Sequence, residues 1–164
     1  MTQFQTVTVP EFLVPGCKTG IGEHTFEAEE VIEFAKQFDP QTFHVDPEAA
    51  KSSLFGGLCA SGWHTASIWM KLQRHSVQRL TEQLKEKGKT YPEFGPSPGM
   101  DNLKWHAPVF AGDTISYFNT PKEFRRSNSK PQWWVLQNFS EGVNQNGIRV
   151  ISFESVVFVK LLGA

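Results

Sequence analysis

The sequence is short of cysteine, of net charge and of long apolar runs, and each shortage removes a class of protein. Its two cysteines, Cys17 and Cys59, form no CxxC pair and stand in no Cys/His cluster. A structural zinc site is therefore not expected, nor is any other bound metal. Cys59 reads as a small buried hydrophobe. Sixteen Lys and Arg against 17 Asp and Glu leave a net charge of −1 and a pI near 6.5. Nucleic-acid binding needs a concentrated positive surface, so it is not expected here, although a local basic patch can still hold a charged small molecule. No stretch approaches the length needed to span a bilayer. The Met1 end has no basic segment followed by an apolar run, so no signal peptide is visible. The expectation is a soluble protein of a reducing, cytoplasmic compartment.

What is abundant is aromatic and aliphatic surface. Apolar residues make up 39% of the 164 residues, with 14 Phe and 5 Trp, too apolar a composition for disorder. That length predicts one domain over residues 1–164, with enough chain to bury a sizeable core. Thr6 to Val14, interrupted by Pro10, reads as an edge strand or extended arm. His24-Thr25-Phe26-Glu27 is a candidate strand. Glu29 to Phe38 is a helix, because Val31, Phe34, Ala35 and Phe38 share one stripe at 3.6 periodicity. Pro40 ends it. Asp46 can cap a short helix that begins at Pro47. Ser61 to Lys87 is a long helix carrying Ile68, Leu72, Val77, Leu80 and Leu84, with Gly88 as its stop. The Pro- and Gly-rich stretch Tyr91 to Gly99 reads as a loop. Strand-like runs follow over Asn102 to His106, Thr114 to Arg125, Trp133 to Val143 and Arg149 to Leu162. Asn146-Gly147 marks a hairpin between the last two. The final run, with Ile151 and Phe153 on one face, suits a central, largely buried strand. The pattern alone gives an α+β chain with an antiparallel sheet.

The stretch that carries chemistry runs from Phe38-Asp39-Pro40-Gln41-Thr42-Phe43-His44-Val45-Asp46-Pro47, through Ala49-Ala50, to Phe55-Gly56-Gly57-Leu58-Cys59-Ala60-Ser61-Gly62-Trp63-His64. An acid and an imidazole lie five residues apart on a loop after a helix. Converging on one water, they could take its proton and return one. Gly62 opens the long helix, where backbone N–H groups form a ready oxyanion site and the missing Cβ lets a ligand approach. Each residue also has a plain structural reading. Asp39 is a turn residue before proline, His44 a core histidine, Asp46 and Ser61 helix caps, and Gly62 a packing glycine.

These residues resemble the MaoC-like family, which includes the (R)-specific enoyl-CoA hydratases. Asp39, His44, Asp46, Ala49, Phe55-Gly56 and Gly62 match the family's motif in order and spacing. Trp105-His106-Ala107-Pro108-Val109 and Ala111-Gly112-Asp113-Thr114 look like its strand-entry segment, so the likeness spans roughly residues 25–160. Gln41-Thr42 stands where the hydratase form usually has Asn-Pro, so the reaction class carries over better than the substrate.

The resemblance implies a single hotdog fold, an antiparallel sheet wrapped around one long central helix, usually paired as a homodimer. It implies a hydratase/dehydratase acting on a trans-2-enoyl or 3-hydroxyacyl thioester, with acyl-CoA as the substrate and no cofactor besides. Asp39 and His44 would hold the catalytic water, and Gly62 N–H would bind the thioester oxygen. Read from the residues, Ser61, Trp63 and His64 are candidate pocket residues, with His64 as readily an inert helix residue; the Trp residues mostly fill the core, and Trp63 and Trp69 are the candidates to limit acyl length. The basic run of Lys122, Arg125, Arg126 and Lys130 reads from its residues as a solvated face, with a site for the CoA phosphates as the functional alternative. A hotdog thioesterase would place a carboxylate on the long helix, and this chain has none between Gly62 and Thr81. A non-catalytic acyl-binding module is the remaining alternative.

Overall fold

A computed structural model describes residues 8–163. Six strands form one antiparallel sheet. They are β1 (Thr19–Thr25), β2 (Tyr91–Phe94), β3 (Gly99–Trp105), β4 (Thr114–Arg126), β5 (Trp134–Asn144) and β6 (Arg149–Leu162). The order across the sheet is β1-β4-β5-β6-β2, and β3 also pairs with β6. Strands β2 and β3 therefore share one edge of β6, β2 along Val159 to Leu162 and β3 along Ile151 to Val156. The last strand is internal, as its apolar run predicted. Four helices join β1 to β2: α1 (Ala28–Phe38), the single turns α2 (Thr42–Val45) and α3 (Pro47–Ala50), and α4 (Gly62–Glu86). The sheet wraps around α4, which is the hotdog arrangement the resemblance implies.

Alternation decides which side chains meet α4. On β6 the inward face is Ile151, Phe153, Ser155 and Val157, and opposite them on β5 stand Gly142, Ser140, Asn138 and Leu136. Trp69 of α4 meets the Phe153 ring edge-on at 4.6 Å, and Tyr117 Oη donates to Thr65 O at 3.0 Å. The main core gathers Phe26, Val31, Ile68, Trp69, Tyr117, Ile151 and Phe153. A second cluster of Leu13, Leu136 and Val159 closes the far end.

Several expectations needed correction. Tyr91–Phe94 is a strand rather than a loop; Pro92 is tolerated because β2 is an edge strand, where a missing donor breaks no second ladder. Of the N-terminal arm, Thr6 and Val7 lie outside the described residues, and Glu11–Leu13 forms a 3-10 turn that buries Leu13. On α1, Val31 and Ala35 are buried, but Phe38 is 68% exposed because the stripe's last turn overhangs the core. Among the described residues no helix is long and apolar enough to cross a membrane.

Candidate active site

The chain leaves α1 at Asp39 and turns at once. Gln41 N bonds Asp39 O at 2.8 Å and His44 N bonds Gln41 O at 2.9 Å, so His44 sits on the helical turn α2 rather than on an open loop. That turn points the imidazole back at the carboxylate: His44 Nε2 lies 3.4 Å from Asp39 Oδ2. On its other side His44 Nδ1 is 2.6 Å from Cys59 O. A carbonyl only accepts, so Nδ1 carries the hydrogen and, in the neutral ring, Nε2 presents its lone pair toward Asp39. The ring is 6% exposed and cannot reorient freely.

Asp39 is held as firmly. Ser61 Oγ donates to its Oδ2 at 2.7 Å and Gln41 Nε2 to its Oδ1 at 2.9 Å. Burial works to raise the carboxyl, but the two hydrogen bonds and the nearby His44 outweigh it and hold Asp39 below the ordinary carboxylate range. It is therefore ionised near neutral pH. The adjacent Cys59 is no rival nucleophile, since burial pushes its thiol up to about 11.

Asp39 and His44 open onto a cavity of about 410 Å³ whose remaining wall includes Phe43, Phe55, Gly62, Trp63, Trp105 and Val109. Gly62 is the first residue of α4, so its N–H has no acceptor within the helix. Its missing side chain also has the packing reason that the sequence offered as the plain reading, with Trp105 as the partner. A Cβ there would stand 2.5 Å from Trp105 Nε1 and 2.8 Å from Trp105 Cδ2. The same indole donates from Nε1 to Gly62 O at 2.9 Å and meets the Trp63 ring at 5.3 Å. Gly62, Trp63 and Trp105 thus build one corner of the cavity.

Other candidates fall elsewhere. Ser61 is fully buried; it caps α4 by accepting from Trp63 N at 3.3 Å and spends its proton on Asp39, so it lies behind the wall. Asp46 is a cap, accepting from Glu48 N and Ala49 N at 3.0 Å each. His64 does not line the cavity. Two residues along a helix is a rotation of about 200°, which turns it to α1. There it stacks on Phe34 at 4.4 Å and faces Glu30 at 3.5 Å. Trp69, one turn further on, also lies outside this cavity. The basic run is at the wrong end of the sheet. Arg126 pairs with Trp134, which pairs with Val159, whereas the cavity touches Val150. Nine strand residues put these about 30 Å apart. Arg126 and Lys130 sit over the Trp134 and Phe158 rings, and Arg125 pairs with Glu123 at 3.2 Å. Gln41 and Trp105 are the residues that sequence reading left without a role. Gln41 carried a signal in its place between Asp39 and His44, and Trp105 in its place at the head of the strand-entry segment; neither pointed to its contact.

Residues 18–129 match the family model described as "MaoC like domain". The chain belongs to the MaoC-like domain family. A MaoC-like dehydratase from Rhodospirillum rubrum is 33% identical, with 92% of this chain and 95% of that one covered at a TM-score of 0.75. An (R)-hydratase from A. caviae involved in PHA biosynthesis is 25% identical, covering 93% and 97% at a TM-score of 0.62. The uncharacterized protein YdeM of Bacillus subtilis is 26% identical over 132 residues, 80% of this chain and 84% of that protein. Within this MaoC-like domain, Asp39, His44, Gly62 and Trp105 all lie inside the matched span.

Proposed function

We propose that this chain is a hydratase/dehydratase that interconverts a trans-2-enoyl thioester and a 3-hydroxyacyl thioester carried on CoA. The observation that carries the reading is the fixed approach of His44 Nε2 to Asp39 Oδ2 at 3.4 Å on the wall of a cavity that Gly62 completes. Membership of the MaoC-like family and the likeness to a MaoC-like dehydratase and an (R)-hydratase support the reaction class.

In hydration, one water caps the pair from the cavity side, within hydrogen-bond reach of both the Asp39 carboxylate and His44 Nε2. Asp39 accepts two hydrogen bonds that weaken it as a base, so it orients the water and stabilises positive charge on the ring. His44 Nε2 takes the water's proton as its oxygen bonds Cβ. The electron pair of the C=C bond moves to the thioester oxygen, which Gly62 N–H stabilises. His44 then returns the proton to Cα, and dehydration is the reverse. Second, we propose a homodimer. Among the described residues strand β3 pairs with β6 alone, and Met100 and Trp105 on it are 42% and 45% exposed, so pairing two copies would protect an edge.

The test is loss of enoyl-CoA absorbance measured together with thiol release. Hydration without thiol release is expected; thiol release alone would make the chain a thioesterase, and neither would make it a binding module. Asp39→Asn and His44→Ala should each lower hydration by on the order of 10²–10⁴, the usual reach of acid–base catalysis. Two groups serving one water should be non-additive, so the double variant should lose little more than either single. Losses that multiply would defeat the shared-water mechanism.

A further inference from the structure

The seam between α4 and β3 opens a second time beyond the candidate site. The two elements run in opposite directions: Trp63 meets Trp105 at one end, and Met70 and Met100 both line a second cavity of about 230 Å³ at the other. Seven helical residues separate Trp63 from Met70, two turns on one face and about 10 Å along the axis. Trp69, which does not touch the first cavity, lines this one.

Its walls are not those of an ordinary core. Asn138 and Ser155, 5% and 9% exposed, sit opposite one another on the inward face of β5 and β6 and line the cavity with Gln73 and Arg74 of α4. Behind them Asn119 Oδ1 accepts from Trp69 Nε1 at 3.0 Å and from Ser140 Oγ at 2.8 Å, and Asn119 Nδ2 donates to Gln73 Oε1. Asn138 Nδ2 donates to Ser140 Oγ at 3.3 Å, and its Oδ1 takes no part in this network. On the same strands the inward face is apolar on either side of this band, with Ile151 and Phe153 before it and Leu136 and Val157 after. Buried amides and hydroxyls are costly unless they find partners. A polar band that both crosses the core and walls a cavity is suited to a ligand with oxygen at that depth.

We infer that the seam is the acyl channel of the proposed site, and that its polar band selects acyl chains bearing a hydroxyl or carboxylate oxygen toward the far end. The inference rests on the hydratase reading above. With the thioester at Gly62, the chain follows the seam to Asn138 and Ser155, with Arg74 beside them.

The experiment compares the wild-type chain on crotonyl-CoA, decenoyl-CoA, and the ω-hydroxy and ω-carboxy forms of decenoyl-CoA. At least one oxygenated chain should exceed plain decenoyl-CoA in kcat/KM by on the order of 10-fold or more, since an apolar tail would give Asn138 Oδ1, which the network leaves out, no partner. Asn138→Leu should reverse that preference. The ratio of the decenoyl substrates within each protein is the readout, so a loss common to all substrates cancels. Ser155→Ala serves if the larger change does not fold. Hydration of crotonyl-CoA with plain decenoyl-CoA equal to or better than both oxygenated forms would overturn the inference and leave the hydratase reading standing. Hydration of none of the four would overturn both.

Discussion

Gly62→Ala separates two reasons for the same glycine. The added methyl would stand 2.5 Å from Trp105 Nε1, where ordinary contact begins near 3.4 Å. The indole would have to retreat by about 1 Å, and its 2.9 Å bond to Gly62 O would go with it. Overpacking of this kind costs about 1–3 kcal/mol and the bond about 1 kcal/mol, while alanine returns up to about 1 kcal/mol in helix propensity. The net is a loss of about 1–3 kcal/mol, or roughly 3–10 °C in melting temperature for a chain of this size. The decisive background is Trp105→Ala, which removes the obstacle. There Gly62→Ala should be neutral or stabilising, so the double-mutant cycle should show a coupling of about 1–3 kcal/mol. Thermal and urea denaturation of the four proteins measures it. Equal destabilisation in both backgrounds would refute the packing account. Hydration rates then address the site itself: alanine keeps the N–H, so activity lost in the double variant relative to Trp105→Ala reports obstruction of the acyl group rather than a missing oxyanion donor.

Three other outcomes follow from the structure. Burial holds His64 below its ordinary value of 6.5, against the partial opposition of Glu30, so the unfolded chain binds the proton more readily. Stability should therefore fall as pH drops through and below 6.5, and His64→Phe, which preserves the stack on Phe34, should flatten that slope in melts between pH 7 and 5. Glu141 is buried between Lys18 at 2.6 Å and Arg149 at 2.7 Å; burial would raise it, but those partners outweigh burial and lower it below 4.5. Its contribution is present above pH 4.5 and lost as pH falls through the lowered value. Glu141→Gln should cost about 1–2 kcal/mol at neutral pH, the half-exposed partners limiting the effect, with the difference from wild type closing in acid. For the dimer, sedimentation at micromolar concentration should give twice the chain mass, and a monomer mass would contradict edge pairing.

What the sequence disclosed follows from the range over which each signal acts. The stripe on α1 as far as Ala35, the long α4, the Asn146-Gly147 hairpin and the Asp46 cap are set by residues within a turn or two, and all are present. The Asp39–His44 pair was legible for the same reason, since a single helical turn brings it together. Trp105 and Gly62 are far apart in sequence, so their contact depends on how β3 registers on β6 and how α4 docks, which no local pattern encodes. His64 was open between lining the pocket and being inert, and the helix decides it, since two residues turn it about 200° from Gly62 toward Phe34. The polar band was hidden differently. Along β4 and β5, Asn119, Asn138 and Ser140 alternate with Phe118 and Phe139, and alternation says which residues share a face but not which face is inward. Taking polar as outward would turn these strands over. In the fold Phe118 and Phe139 lie on the outer face, half-buried beneath Lys18 and Arg149, while the amides face α4. The Ile115 and Tyr117 positions fix the register, because their side chains fill the core beside Ile151 and leave Asn119 no face but the inner one. A buried amide is thus imposed on β4 by its neighbours two and four residues earlier, and the hydroxyls and amides of β5, β6 and α4 are what make that imposition tolerable.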